Sequence, residues 1–504
     1  MHKIVNRMTI AALLIFIQVG WFAVLLLRLT EHATWITLLM TILSAIVALY
    51  VVYKDDNPAY KIGWIVFICL APILGAPLYL LFGNKRTSKK LKKRIEGQEE
   101  EHRADFEQTI DLEERVTPRI KGTMTYISEH GPYPAWDGTK TKYYSLGDYA
   151  FTDMIDDIKK AEKFIFLEYF IVEEGKMWGD VFQILQEKVE QGVDVRMMYD
   201  DVGSIGKIPM NFYNKVRQSG IKIMAFNPVT PIVSLIYNNR DHRKMLVIDG
   251  NVAYSGGYNL ADEYINEVER FGHWKDSGIR IEGKAVWNYT LMFLNMWNAF
   301  RKTDDIYDGF RPDEKYYRED CENDGIVQPY SDSPLDEENI GENVYLEIIN
   351  QAEKYVYIFT PYLVIDNEMK TALCLAAKRG VDVKIVTPGI PDKKMVFRLT
   401  RSYYRPLVKA GVEVYEYTPG FIHAKSFLAD DEIGVVGTIN MDYRSLYLHF
   451  ECGTLMTGSK ALKSLKKDCL DTFSVSRKIT DDDVKRTITG MLFDAVLKIA
   501  APLL

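Results

Sequence analysis

Two stretches of the chain hold the side chains best suited to chemistry. The first is His242-Arg-Lys244, four residues, Asp249, six residues and Gly256-Gly-Tyr-Asn259; the second is His423-Ala-Lys425, four residues, Asp430, six residues and Gly437-Thr-Ile-Asn440. Imidazole changes protonation near neutrality and can also serve as a nucleophile. Ammonium and amide donors neutralise phosphate oxygens as charge develops on them. The combination suits a phosphodiester. Five fixed residues at about 5% usage each recur by chance on the order of once in several million starts, so two copies in one chain are not coincidence. A single His-x-Lys would read as an exposed strand edge; the repeated context removes that reading. His242, His273, His423 and His449 can in principle gather around a metal, but there is no His-Glu-x-x-His and the intervening lysines would repel a cation, so neither metal nor cofactor is expected.

Spacing dictates the elements around these residues. His242 and Lys244 are two apart, as are His423 and Lys425, which on a strand puts both side chains of a pair on one face. Turns at Asp249-Gly250-Asn251 and Asp430-Asp431 start hairpins whose return strands bring Asn259 and Asn440 back beside the pairs. Upstream, Phe164 to Ile171 reads as a buried strand, Val181 to Glu190 has helical spacing and Val193 to Tyr199 is a strand again, an α/β alternation. Three segments recur in the same order. Ala161 to Leu167 returns as Ala352 to Ile358, Gly192 to Arg196 as Gly380 to Lys384, and Ser219 to Ile223 as Ala410 to Val414. A duplicated domain follows. Two half-sites meeting at a pseudo-twofold axis would surround one anion-sized space with two His, two Lys and two Asn.

At 504 residues, 47% hydrophobic and 26% charged, the chain exceeds one ordinary core. A net charge of -7 argues against a broad nucleic-acid surface. Five cysteines without a Cys-x-x-Cys pair suggest reduced thiols. Met8 to Leu27 and Thr34 to Tyr53 are uncharged runs of the length that crosses a bilayer, whereas Ile62 to Gly83 is interrupted by Pro72, Gly75 and Pro77 and reads as a kinked span or a re-entrant helix. The basic run of Lys85, Arg86, Lys89, Lys90, Lys92, Lys93 and Arg94 puts the large remainder on the cytoplasmic side and offers contacts to anionic headgroups. Near the end, Thr480 reads as the N-cap of a helix with Leu492, Val496 and Ile499 on one face, expected to dock on the domain core.

The paired motifs resemble the His-x-Lys-x4-Asp signatures of the phospholipase D superfamily, and the chain is similar almost throughout to bacterial cardiolipin synthases. Asn57-Pro-Ala to Gly83, Asn239-Arg240, Phe271-Gly-His-Trp-Lys-Asp276, Ser402-Tyr-Tyr, Gly420-Phe-Ile-His423, Asn440-Met-Asp-Tyr-Arg-Ser445 and Ala501-Pro-Leu-Leu504 carry the likeness. His449 departs from it, standing where relatives usually have Asn before Phe450-Glu451.

The resemblance implies an α/β fold of two duplicated phospholipase D-like domains forming a pseudo-dimer behind a helical membrane anchor. The expected division is an anchor over 1–84, a charged linker over 85–125, a first half over 126–312, an acidic connector over 313–342, a second half over 343–478 and a C-terminal helix over 479–504. It also implies that a phosphatidyl group passes from one phosphatidylglycerol to another through a phosphohistidine, giving cardiolipin and glycerol at the bacterial plasma membrane. In that scheme His242 is the nucleophile and His423 the acid/base. Lys244, Lys425, Asn259 and Asn440 hold phosphate, Asp249 and Asp430 brace the site, and Asp276 and Glu451 orient the imidazoles. A hydrolytic phospholipase D, a nuclease of the superfamily and a silent membrane scaffold are the alternatives.

Overall fold

The computed structural model describes residues 34–83, 89–107, 110–228, 239–301, 306–318, 324–336 and 338–503, with scattered positions between 16 and 28. Two compact units emerge: Lys90–Phe226 with Asn239–Lys485, and Met1–Lys89 with Asn227–Asn238 and Arg486–Leu504.

The larger unit contains the duplication. Its first half supplies β1 (Thr139–Tyr144), β2 (Phe164–Tyr169), β3 (Asp194–Asp200), β4 (Lys222–Phe226), β5 (Arg240–Asp241), β6 (Lys244–Ile248), β7 (Val252–Gly256), β8 (His273–Lys275) and β9 (Gly278–Gly283). The second half supplies β10 (Ile326–Asp332), β11 (Tyr355–Phe359), β12 (Leu363–Val364), β13 (Asp382–Pro388), β14 (Glu413–Tyr417), β15 (Gly420–Ile422), β16 (Ser426–Ala429), β17 (Ile433–Gly437), β18 (Met441–Asp442), β19 (His449–Thr457) and β20 (Ser476–Lys478). One sheet runs β1-β9-β7-β6-β2-β3-β4 and the other β10-β19-β17-β16-β11-β13-β14-β20, the same order with one strand added at the end. In each, the first strand after the helical entry pairs in parallel on one side and antiparallel with the motif strand on the other.

Burial on both faces explains the unalternating strands. All six residues of β2 are buried. Ile165 and Leu167 join the core built by Met154 and Ile158 of helix Gly147–Lys159 and by Val181 and Leu185 of helix Lys176–Glu190. Phe166 points the other way and stacks on Phe293, ring centroids 4.4 Å apart, in helix Val286–Phe300. That helix is apolar around almost its whole circumference and buried from Val286 to Ala299, as a helix enclosed by protein should be. Its Asn288 spends its amide on Trp136, Pro134 and Pro329, so that buried side chain is satisfied.

Two expected boundaries move. The segment expected as connector, 313–342, contains β10, the edge strand of the second sheet; Pro329 within it is tolerated because an edge has one unpaired side. The expected linker, 85–125, ends in helix Pro118–His130, whose Arg119 donates to Gln351 O at 2.9 Å and to Glu432 at 3.0 Å, tying it to the second half.

In the smaller unit Thr34–Tyr53 forms a 20-residue helix without a charged side chain. Judged on the described residues alone, no helix is long and apolar enough to cross a membrane; several side chains of Thr34–Tyr53 lie outside the description, as does most of Met8 to Leu27. The third apolar stretch is broken at Ala71 into helices Pro58–Leu70 and Pro72–Leu78. Gly75 allows the second to fold back on the first, since a Cβ there would meet Ile68 Cα at 2.5 Å. The expected C-terminal helix is corrected in both start and docking. It spans Ile488–Ala500, capped by Thr487 rather than Thr480, and packs against Pro58–Leu70 of its own unit. Gly63 makes that approach possible, a Cβ there lying 2.9 Å from Ile499 O.

Candidate active site

Each motif histidine lies just beyond a short strand that crosses to the other half. β5 pairs in parallel with β19, and His242 N then donates to Phe450 O at 2.9 Å. β15 pairs in parallel with β8, and His423 N donates to Lys275 O at 2.7 Å. The histidines and lysines therefore do not share one uninterrupted strand: β6 begins at Lys244 and β16 at Ser426. The chain bends between His and Lys because the histidine's own backbone is held by the opposite half.

The acids cross over as well. His242 Nδ1 lies 2.8 and 3.0 Å from the two oxygens of Glu451, and His423 Nδ1 lies 2.8 Å from Asp276 Oδ2. The sequence left open which acid serves which imidazole; each half provides the carboxylate for the other's histidine. Thr438 Oγ1 donates to Glu451 Oε2 at 2.5 Å, and Ser277 N donates to Asp276 Oδ1 at 2.9 Å, fixing the carboxylates.

The lysines behave differently in the two half-sites. Lys244 Nζ donates to His242 O at 2.5 Å. Lys425 Nζ donates to His423 O and also lies 2.8 Å from His423 Nδ1. Burial depresses Lys244 to about 8 and Lys425 to about 7. Burial, then Lys244, Lys425 and His423, hold His242 well below the usual imidazole range, and burial followed by Lys425 holds His423 at about 4 despite Asp276. Burial pushes Asp276 up, but His423 and Lys425 outweigh it and leave the carboxyl below its ordinary range. The mutual effects of His242, His423, Lys244 and Lys425 place both half-sites in one electrostatic neighbourhood.

Asp249 and Asp430 sit away from that space. Asp249 accepts from the backbone N–H groups of Glu162, Lys163 and Phe164 at 2.7–2.8 Å, and Asp430 from those of Glu353, Lys354 and Tyr355 at 2.8–2.9 Å. Asn259 accepts from Ile171 N at 2.9 Å and donates to Tyr264 Oη at 2.8 Å, leaving one amide N–H. Asn440 Oδ1 is buried without a hydrogen-bond partner among the described residues.

Sequence reasoning missed a buried charge cluster beneath the first motif. Arg243 pairs with Glu168 at 2.5 Å and Asp241 at 3.2 Å, and Arg240 with Asp200 at 3.3 Å. The second motif has Ala424 where the first has Arg243, so repetition gave no signal. His242 and His449, set aside as metal ligands on sequence grounds, gather with Glu451, which was not considered for that part; the ligand atoms of the three all lie within 4.8 Å of one another.

Fold and site define a one-chain enzyme of duplicated halves built for phosphodiester transfer. A family model described as cardiolipin synthase, PLD-like domain, matches residues 154–297 and 345–470, and one described as phospholipase D-nuclease N-terminal matches 42–84. An uncharacterised protein of Streptococcus mutans is 46% identical over 90% of this chain and 99% of its own. Cardiolipin synthase 1 of Bacillus cereus is 31% identical, covering 94% of each chain. The crystal structure of phosphatidylserine synthase from Haemophilus influenzae matches with a TM-score of 0.54 at 13% identity, covering 72% of this chain and 95% of that one, a likeness of fold. The chain belongs to the cardiolipin synthases of the phospholipase D superfamily and is a phosphatidyl-transferring enzyme.

Proposed function

We propose that the enzyme transfers a phosphatidyl group between two phosphatidylglycerol molecules by a two-step displacement, with His242 as nucleophile and His423 as acid and base. The observation that carries this assignment is the unlike surroundings of the two Nδ1 atoms. That of His242 faces only the two oxygens of Glu451, which holds its proton there and leaves Nε2 with a lone pair. That of His423 has a donor, Lys425, and an acceptor, Asp276, each at 2.8 Å, so it can answer the gain and loss of a proton at Nε2.

In the first step His242 Nε2 bonds to phosphorus, the bond from phosphorus to the glycerol headgroup oxygen breaks, and His423 gives that oxygen a proton. In the second, His423 takes the proton of a hydroxyl on the acceptor lipid, whose oxygen attacks phosphorus and displaces His242. Both imidazoles are neutral in the free enzyme at neutral pH, which readies His242. The anionic phosphodiester then offsets the field of Lys244 and Lys425 and lets His423 bind its proton. Lys244, Lys425, Asn440 and the remaining N–H of Asn259 hold the phosphate oxygens. Asp249 and Asp430 brace the strands that carry them.

The N-terminal apolar helices anchor the enzyme in the bacterial plasma membrane, with the basic run at Lys85 to Arg94 and the catalytic unit on the cytoplasmic side. The uncharged helix Thr34–Tyr53 and the match over 42–84 support that reading.

Purified full-length protein given labelled phosphatidylglycerol is expected to release glycerol and form cardiolipin. His423→Ala should accumulate a lipid-labelled, acid-labile protein adduct, and His242→Ala should form none. Product formation by His242→Ala at the parental rate would sink the assignment, and phosphatidic acid as sole product would identify a hydrolase.

A further inference from the structure

We infer that His242, His449 and Glu451 form an inhibitory binding site for a borderline divalent cation of the zinc type. His449 and Glu451 are two apart on β19, so both project from one face toward His242. Glu451 lies 2.8 Å from His242 Nδ1 and 3.7 Å from His449 Nδ1, the second distance beyond hydrogen-bond reach. Ligands at zinc bonding distance around a tetrahedral centre stand about 3.3 Å apart, within the spread of this trio, whose ligand atoms all fall within 4.8 Å.

The independent observation is His449 itself. Its exposure is 8%, and neither ring nitrogen has a hydrogen-bond partner among the described residues. Leaving a buried imidazole unsatisfied costs free energy that a metal bond would recover. Two imidazoles and one carboxylate are a zinc donor set, with a fourth position left for water. Lys244 beside His242 disfavours hard cations held by charge alone, so magnesium and calcium should not compete; nitrogen ligands select zinc, cobalt or nickel.

No step of the proposed transfer runs through a metal, and binding would interrupt it. The cation takes the Nδ1 lone pair of His242, whose Nδ1 proton leaves to solvent, and Glu451 turns from imidazole to metal. His242 then lacks the carboxylate that orients it and carries a cation that lowers the nucleophilicity of Nε2. Inhibition rests on the phosphatidyl-transfer reading above, whereas binding does not, so the two are measured separately.

Metal-stripped full-length protein in detergent is dialysed against zinc chloride, and in parallel given cobalt chloride for its visible absorption. The parental chain should bind one zinc per chain with a tetrahedral cobalt spectrum, excess magnesium present. His449→Asn and His449→Gln, made as a pair so that a folding defect in one leaves the other, should lose that site; His130→Asn, at an exposed histidine, should keep it. Transfer from phosphatidylglycerol, expressed relative to each variant's own zinc-free rate, should need at least tenfold more zinc for half-inhibition in the His449 variants, and chelator should restore the parental rate. No stoichiometric zinc, or a folded His449 variant that binds or is inhibited like the parent, overturns the site. Binding that depends on His449 without inhibition overturns the inhibitory role alone.

Discussion

Lys425 reaches His423 Nδ1 as well as a carbonyl while Lys244 turns to a carbonyl alone, and of the two buried ammonium groups Lys425 is the more depressed. Lys425 is depressed to about 7, chiefly by burial and against the pull of Asp276, which raises it. Its ammonium, which the proposed mechanism sets against an anionic phosphate, is therefore lost as pH rises through that value, and kcat/KM for phosphatidylglycerol should fall on the alkaline side. Asp276→Asn removes a negative charge that favours both the Lys425 ammonium and the His423 imidazolium. The expected result is a loss of about 10²-fold or more in kcat, with the alkaline limb of kcat/KM moved to lower pH; a limb that stays put or moves upward would show that Asp276 does not act through these groups. The histidines, lysines and asparagines were legible because they recur at fixed spacing. The partnership of Glu451 with His242 was not, because it joins residues from opposite halves, and neither was that of Arg243 with Glu168, because nothing in the second motif repeats it.

At the scale of elements, the motif aspartates act as clamps on strand entry. Asp249 and Asp430 adopt left-handed backbone, φ 53° and 57°, at the start of their turns, and each gathers three consecutive amide N–H groups at the start of β2 or β11. Asp249→Ala and Asp430→Ala should each destabilise the catalytic unit by about 2 kcal/mol, from three charge-assisted hydrogen bonds lost, one of which leaves a buried donor, Phe164 N or Tyr355 N, unsatisfied. Denaturant unfolding of the solubilised enzyme measures this, and the two losses should agree because the geometries do. Asn at either position keeps an acceptor and tolerates the backbone, so it should cost less. The same logic explains what sequence conveyed about the fold. Hairpins and the β-α-β rhythm are local and repeat, so they were readable. β10 was hidden inside an acidic, proline-bearing stretch because an edge strand needs little apolar patterning. The start of the last helix was misplaced because Thr480 meets a cap-like partner, Asp483, three residues on. Both its N and Oγ1 reach that carboxylate at 2.9 Å, which closes a turn without starting the helix.

At the scale of the molecule, the chain's end returns to its beginning, with Ile488–Ala500 lying on Pro58–Leu70 at Gly63. Gly63→Leu places a branched side chain where 2.9 Å separates even a Cβ from Ile499 O, so the last helix should be displaced. Limited proteolysis of membranes containing the full chain should then clip the tail near 479–487 faster than in the parent, and equal rates would argue that the contact holds nothing in place.

The exchange of carboxylates across the seam also constrains how such a chain can vary. A fragment carrying either half alone would possess an imidazole, a lysine and an asparagine, yet lack the carboxylate that its histidine's Nδ1 meets in the whole chain. Drift in one copy reaches the other: a substitution at Glu451 removes the carboxylate beside His242 Nδ1, and one at Asp276 the carboxylate beside His423 Nδ1. Duplication ordinarily frees one copy to change; here the two copies hold each other's reactivity hostage and must be inherited as a single functional whole.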